Sequence, residues 1–198
     1  MTAPRPPADL VGRAPLTVNL PEGTELHRFY PAGLEPIYFD NSLSGRLNAP
    51  DGRYGVLYAA ARPEGAFAET FLRTPGKTLL APELIAAKGQ ARLKTLRPLT
   101  LIQLHGPGLA RLGATAEVTH GGLPYDAPQA WSAGLHDHPL QADGVAYTAR
   151  HDDAEVCYAI FDRAAPALAL EAKTADLDNE EGFYLLAEHY GVGLAPAR

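Results

Sequence analysis

The sequence contains a single cysteine, Cys157, so no disulfide bond can form within one chain. No run of residues approaches the ~18 uncharged apolar positions that a membrane-spanning helix requires. The first ten residues are rich in proline and alanine and lack the apolar core of a secretory signal peptide. These absences predict a cytoplasmic protein that neither crosses a membrane nor depends on disulfides.

Charged residues are scarce as well, at 20% of the chain, and acidic residues outnumber basic ones by 23 to 17. The resulting net charge of −6 disfavours a nucleic-acid partner, because phosphate backbones are bound by concentrated lysine and arginine. The same balance still permits a local basic pocket for a small ligand that carries phosphate.

The common nucleotide and metal motifs are also missing. The chain has no GxGxxG or GxxxxGK[ST] loop and no HExxH or CxxC pair, so we expect no metal site. No GxSxG elbow marks a catalytic serine, although a Ser-His-Asp triad in another arrangement stays open. We interpret HDHP, residues 136–139, as a polar loop at a helix end, and Cys157 as a buried strand residue rather than a nucleophile.

The distribution of apolar residues and turn formers predicts one α+β (mixed α/β) domain. Residues 1–22 carry five prolines and are predicted to form a loose arm, and residues 23–198 form the domain. Predicted strands cover Thr24 to Tyr30, Pro36 to Asp40, Arg53 to Ala60, two runs within Leu93 to Leu104 that Pro98 separates, Gly144 to Thr148 and Val156 to Phe161. Predicted helices cover Pro63 to Arg73, Pro82 to Ala87, Asp126 to Leu135 and Asp178 to Tyr190. The irregular interleaving disfavours a Rossmann fold.

Several residues mark the predicted helix ends. Asp126 is expected to cap its helix, and Asp178 with Glu181 fits a capping box. Gly191 stands where a C-terminal glycine belongs.

The densest group of candidate functional residues lies between positions 28 and 69. Arg28 is in a predicted strand, and Arg46 is in the turn-rich loop of residues 41–52; an arginine can grip a phosphate with two hydrogen bonds. Tyr58 could stack on a ligand ring, and Glu69 could hold a ribose hydroxyl and stabilise an oxocarbenium-like cation. Together these are the parts needed to bind a dinucleotide and break an N-glycosidic bond. Residue types alone favour the alternative of surface arginines, a core tyrosine and a solvated glutamate.

The immediate neighbours of Glu69 are apolar, from Ala66 to Ala68 on one side and Phe71 and Leu72 on the other. A carboxylate in such surroundings lies near the core, where an unpaired charge is costly. If it is buried, it should have a partner or a function.

Three stretches resemble the RES-domain family. Residues 44–73, SGRLNAPDGRYGVLYAAARPEGAFAETFLR, are similar to its first signature, in which an arginine precedes a turn, a strand ends in a tyrosine and a helix carries a glutamate. Residues 142–163, ADGVAYTARHDDAEVCYAIFDR, resemble the second signature, in which a glycine-led strand precedes one that runs into Phe-Asp. LHRFY, residues 26–30, is similar to the family's opening arginine strand. The similar regions agree in order and spacing.

The resemblance implies a fold and an activity. RES proteins are toxin components of bacterial toxin–antitoxin pairs, and their fold resembles ADP-ribosyltransferases, with a split β-sheet core and flanking helices. They deplete NAD by hydrolysis or phosphorolysis. The resemblance therefore implies NAD as substrate, phosphate as a possible co-substrate, no bound cofactor, and an antitoxin that blocks the pocket.

The resemblance also implies roles for individual residues. Arg28 and Arg46 would line the NAD pocket, with Arg46 also part of the catalytic set. Tyr58 would lie beside the nicotinamide end, and Glu69 would be the catalytic glutamate.

Two positions depart from the family pattern. Ala149 stands in the substrate-binding position where relatives have serine, and Leu47 stands where they often have an aromatic residue. Thr148 is a poor substitute, because neighbouring strand residues face opposite ways. Two further functions stay open. ADP-ribosyl transfer to a macromolecule would form the same cation with a different acceptor, and Ala149 supports a weakened domain that binds nucleotide or a protein partner without turnover.

Overall fold

Most strands of the protein belong to one large sheet that has a narrow joint near its middle. The computed structural model describes residues 3–74, 76 and 78–196. The described strands are β1 (Thr17–Leu20), β2 (Glu25–Pro31), β3 (Val56–Ala60), β4 (Leu79–Leu80), β5 (Lys88–Thr95), β6 (Leu99–Gln103), β7 (Gly144–Ala149), β8 (Asp152–Phe161), β9 (Leu168–Thr174) and β10 (Gly193–Leu194). Eight of them form a mixed sheet in the order β1-β6-β7-β8-β3-β2-β5-β9, and β10 pairs with β4. Within the large sheet only β6 and β7 are parallel, and α-helices connect them.

The joint lies between β2 and β3. These strands are neighbours, but their pairing register consists of His27 and Ala60 alone. On either side the pairing is continuous, from Val56 to Ala60 between β3 and β8, and along all of β2 with β5. The sheet therefore consists of two halves that meet at one residue pair. The mixed α+β class that the sequence predicts is confirmed.

Helices cover the sheet and bridge its joint. They are α1 (Pro63–Phe71), α2 (Pro82–Ala86), α3 (Pro107–Leu112), α4 (Glu117–His120), α5 (Asp126–His136) and α6 (Glu181–His189). A proline opens α1, α2 and α3, because the first turn of a helix does not need the amide that proline lacks. α1 packs against β2 in one half and against β3, β7 and β8 in the other. None of the helices in the described residues is both long and apolar enough to traverse a lipid bilayer.

Apolar side chains fill both faces of the sheet. One cluster contains Phe67, Trp131 and Phe183, and the cluster on the other face contains Leu26 and Leu93. In the first cluster Phe71 lies edge-on to Phe29 and Phe183, with ring centroids 5.0 and 5.3 Å apart. Aromatic pairs favour this geometry, so the cluster fixes α1 against β2 and α6.

The N-terminal segment that the prolines predict to be a loose arm is packed on the sheet. Thr17–Leu20 pair with β6 as an edge strand, and Leu10 is buried. Trp131 Nε1 donates a 2.7 Å hydrogen bond to the carbonyl of Pro4. Proline lacks an amide donor but keeps its carbonyl acceptor, so a proline-rich segment can still dock.

The prediction of a strand at residues 36–40 is wrong. Among the described residues, the one β-type pairing in this segment is an isolated bridge between Asp40 and Val56. The carboxylate of Asp40 accepts a 2.9 Å hydrogen bond from the Ser42 amide, a local bond that favours a turn over a strand. The next strand, β3, begins at Val56 rather than at Arg53.

The predicted helix caps are wrong at two N-termini and correct at one C-terminus. Asp126 is the first residue of α5, and no side chain caps the helix. α6 begins only at Glu181, so no capping box forms with Asp178, which lies in a preceding 3₁₀ turn. Gly191 follows α6 with φ of 62°, as a C-terminal glycine should.

The predicted positions of the HDHP segment at a helix end and of Cys157 in a buried strand are confirmed. The HDHP segment ends α5, and His138 Nε2 lies 3.0 Å from the carbonyl oxygen of Arg13. Cys157 is a buried free thiol in β8, and burial raises its pKa.

Candidate active site

A cavity of about 390 Å³ lies at the joint between the two halves of the sheet. Its lining residues come from β2, β3, α1, β7, β8 and the start of β5, from the short segments after β2, after α1 and before α5, and from the loop of residues 38–47, which we call the pocket loop. The structure brings four of the sequence-selected residues into this lining: Arg28, Arg46, Tyr58 and Glu69. The volume is that of a small-molecule site, for which ~300–1,000 Å³ is typical.

The carboxylate of Glu69 is held in the cavity by two donors. Its Oε1 accepts a 2.8 Å hydrogen bond from the Arg150 amide, and its Oε2 lies 3.5 Å from the Tyr147 hydroxyl. The Arg150 amide is free to make this bond because it follows the end of β7, where the register with β8 shifts. Burial and then the charge of Glu69 raise the pKa of Tyr147, so this hydroxyl stays protonated. The result is one oriented carboxylate facing the cavity.

Ala149 is the one sequence-selected residue that does not line the cavity. It is completely buried in the apolar cluster that also contains Tyr147 and Phe67, directly before the amide that binds Glu69. Thr148 does not take its place, because its Oγ1 lies 3.4 Å from His120 Nε2, outside this cavity. Position 149 is therefore close to the anchor of Glu69 but supplies no polar group there.

Tyr58 anchors the pocket loop. Its hydroxyl accepts a hydrogen bond from the Leu47 amide and donates one to Asn48 Oδ1, both at 2.9 Å. The buried Asn48 donates its Nδ2 to Asp40 Oδ2 and to the Ser42 carbonyl, at 2.9 and 2.8 Å. Burial raises the pKa of the Tyr58 hydroxyl, which therefore remains a donor. Leu47, at the departure from the family pattern, is itself a core residue with 1% exposure.

Arg46 connects the pocket loop to the segment between α4 and α5. Its Nε donates a 3.2 Å hydrogen bond to the Gly121 carbonyl, and its guanidinium lies 5.4 Å from the centroid of the Tyr125 ring. The second contact has cation–π geometry. Arg46 and Glu69 also line a smaller adjoining cavity of about 140 Å³, together with Arg150.

Arg28 is a buried cation with few partners. The residue is 8% exposed, its Nη1 reaches the Tyr38 carbonyl only at 3.5 Å, and its Nε is buried without a hydrogen-bond partner. Burial lowers its pKa to about 10, which leaves the guanidinium charged at neutral pH. A buried charge without a partner is costly, so this position favours a ligand that carries negative charge.

The cavity as a whole has an excess of positive charge. Four cationic side chains line it against two carboxylates: Arg28, Arg46, Arg73 and Lys88 against Asp40 and Glu69. His27 also lines it, and burial lowers the pKa of that histidine, which favours the neutral ring. The chain is acidic overall, so the positive excess is a local property of the site.

Three scattered histidines line a separate cavity of about 660 Å³: His105, His120 and His151. Among the described residues, no group of three or more histidine, cysteine, aspartate or glutamate side chains is arranged to hold a metal ion.

Sequence reasoning missed several residues of the site. Arg73 follows Glu69 by four positions, and residues at this spacing lie on the same face of a helix, so the sequence could have indicated that Arg73 is near the site. Tyr147 could have been found by alternation, since it stands two positions before Ala149 on a predicted strand. Lys88 and Tyr125 have no local signal, because only the folded chain brings them to the cavity.

The anchoring role of Tyr58 predicts the effect of Tyr58→Phe. The change leaves the Leu47 amide and Asn48 Oδ1 without their partner, which should lower the free energy of unfolding by about 1–3 kcal/mol. Urea denaturation measures the loss, and hydrogen exchange should show faster exchange at the Leu47 amide.

Tyr184→Phe is the matched control. The Tyr184 hydroxyl donates to the Asp178 carbonyl on the surface, so its loss should change stability by no more than ~0.5 kcal/mol. An unchanged exchange rate at Leu47 in Tyr58→Phe would contradict the anchoring role.

Comparison with known proteins places the chain in a family. The family profile described as RES domain matches residues 27–181. Among solved structures, the chain is similar to one in the M. tuberculosis MbcT–MbcA toxin–antitoxin complex, with a TM-score of 0.68 and 17% identity over 85% of this chain and 92% of that chain. At this identity the likeness shows the fold, and no curated protein matches the sequence. Because the profile covers well over half of the chain, including the whole lining of the cavity, the protein belongs to the RES-domain family.

Proposed function

We propose that the protein binds NAD in this cavity and breaks the bond between nicotinamide and ribose, as the toxin of a toxin–antitoxin pair. The observation that carries the proposal is one anchored carboxylate, Glu69, in a cavity that otherwise has excess positive charge. Family membership supports the same substrate class, and the similar solved structure comes from a toxin–antitoxin complex.

The charges of the cavity complement those of NAD. NAD carries a cationic nicotinamide ring on one ribose and a dianionic diphosphate farther along the molecule. A carboxylate suits the first group, and guanidinium groups suit the second, since they can bind phosphate oxygens with two hydrogen bonds. Glu69 and the partner-poor Arg28 supply these two kinds of group.

The chemical step is the departure of nicotinamide. The bond between ribose C1′ and the ring nitrogen breaks, its electron pair leaves with neutral nicotinamide, and an oxocarbenium-like ribosyl cation develops. The Glu69 carboxylate stabilises that cation. The hydrogen bond from the Arg150 amide already holds this carboxylate in position, so the side chain does not have to reorient during the reaction. Water then attacks C1′ and releases a proton, or phosphate attacks in its place.

The group that receives the ADP-ribosyl unit can be water, phosphate or a macromolecule. Hydrolysis yields ADP-ribose, phosphorolysis yields its phosphate ester, and transfer would label a macromolecule. A weakened domain that binds without turnover is a second candidate, and the absence of a hydroxyl at the completely buried Ala149 favours it.

The antitoxin is proposed to cover the mouth of the cavity. Leu34 and Tyr38 line the cavity yet are 41% and 40% exposed, and Leu43 in the pocket loop is 61% exposed. Exposed apolar side chains grouped at a site are typical of surfaces that bind another protein. A cytoplasmic location is part of the proposal, since substrate and antitoxin would meet the protein there.

Glu69→Gln tests the proposed function. We expect purified wild-type protein to release nicotinamide from NAD, and Glu69→Gln to release it ~10²–10³-fold more slowly, because the amide cannot offset the developing positive charge. Chromatography of reactions with and without phosphate measures nicotinamide and identifies the second product. Calorimetry should show that the variant still binds NAD.

Glu83→Gln is the control, because Glu83 is an exposed residue of α2 outside the cavity lining. It should keep the wild-type rate. Binding of NAD by wild-type protein without any nicotinamide release would refute cleavage, and an unimpaired Glu69→Gln would refute the assignment of the carboxylate.

Ala149→Ser tests the departure from the family pattern. A hydroxyl beside the anchor of Glu69 should raise NAD cleavage roughly 2–10-fold, because one neutral hydrogen bond contributes about 0.5–1.5 kcal/mol. Ala146→Ser is a matched control, since Ala146 is equally buried in β7 but packs in the cluster on the other face. A gain in both variants, or in neither, would contradict a role for position 149.

A further inference from the structure

Three cationic side chains form a group within the cavity: Arg28 in β2, Arg73 after α1 and Lys88 at the start of β5. Burial lowers the pKa of Lys88, and the neighbouring charges of Arg73 and Arg28 lower it further. Among the described residues none of the three has a carboxylate within ion-pair distance. Like charges gathered without a counter-ion repel each other, so the group is costly unless a ligand neutralises it.

Other cations on β5 differ from Lys88 in having carboxylate partners. Lys94 on β5 lies 3.5 Å from Glu171, and Arg92 lies 3.1 Å from the same residue. The surface of β5 thus pairs its cations with carboxylates, whereas the end of β5 at the cavity does not.

The Glu69 carboxylate shifts the pKa values of residues other than Lys88. The charge of Glu69 raises the pKa of Tyr147 and of Cys157, in each case after burial, which is the larger cause. The groups that act on Lys88 are Arg73 and Arg28. Glu69 lines the smaller adjoining cavity together with Arg46, Arg73 and Arg150, whereas Arg28 and Lys88 line only the main cavity. Arg73 lines both.

We propose that Arg73 and Lys88 complete, with Arg28, a subsite for a diphosphate group, and that they make the site prefer dinucleotides over nucleotides with one phosphate. The proposal rests on the proposed NAD-cleaving function and assigns two specificity-determining residues to it. Glu69 then faces the ribose that loses nicotinamide, while the three cations hold the phosphates. The buried, partnerless Nε of Arg28 is one donor for a phosphate oxygen.

The direct test is binding of inorganic pyrophosphate, which has the diphosphate but neither ribose nor base. Calorimetry should show that Lys88→Ala and Arg73→Ala each weaken binding by about 3–10-fold, the loss expected for one charge-assisted contact. Lys88→Arg should stay within about twofold of wild type, because it keeps the charge. Lys94→Ala is the matched control from the same strand and should bind as wild type does.

Kinetics test the same assignment with the intact substrate. Lys88→Ala should raise KM for NAD about 3–10-fold with kcat within about twofold of wild type, since the residue binds the phosphates and not the reacting carbon. With nicotinamide mononucleotide, which has one phosphate, the effect of the change should be smaller than with NAD.

The outcomes separate the two proposals. If Lys88→Ala and Lys94→Ala bind pyrophosphate equally to wild type, or if KM for NAD does not change, the subsite is refuted while NAD cleavage stands. If wild-type protein releases no nicotinamide, cleavage is refuted, and the pyrophosphate titration still decides whether the three cations form a diphosphate subsite.

Discussion

The buried guanidinium of Arg28 is the constraint around which the cavity is arranged. It has one long contact to a carbonyl and a partnerless Nε, and burial lowers its pKa to about 10 without removing its charge at neutral pH. Such a group opposes folding unless something compensates it. The apolar packing on both faces of the sheet offsets this cost in the free protein, and an anion that binds only the folded state would add stability.

The remaining parts of the site are held in place by elements that cross the joint of the sheet. α1 contacts strands of both halves and carries Glu69, while Tyr58 ties the pocket loop to β3 through Leu47 and Asn48. The shift in register at the end of β7 frees the Arg150 amide for Glu69. Because the two halves of the sheet pair at only one residue pair, there is room between them for a cavity. The contacts of α1 and Tyr58 hold the walls of this cavity in fixed positions.

Local patterns predicted the parts of this structure that depend on local physics. Alternation along the chain identified β2, and runs rich in aromatic or β-branched residues identified β3, β7 and β8. Prolines marked the first turns of α1 and α2. Among the missed elements, β1 and β9 are edge strands. β1 lies in the proline-rich N-terminal segment, and the C-terminal half of β9 carries charged residues. The sequence was sufficient to select four residues of the cavity lining, because they lie in stretches that resemble the family's signatures in order and spacing: Arg28, Arg46, Tyr58 and Glu69. Lys88 could not, since only the pairing of β5 with β2 brings it to the cavity.

A crystal structure of Glu69→Gln with bound NAD would show whether the cavity binds the dinucleotide through Arg28, because the slowed variant should retain NAD intact. We expect NAD in the cavity, with a diphosphate oxygen about 2.7–2.9 Å from a guanidinium nitrogen of Arg28 and with ribose C1′ facing the side chain at position 69. NAD bound elsewhere on the protein, or bound in the cavity with its diphosphate away from Arg28, would contradict this expectation.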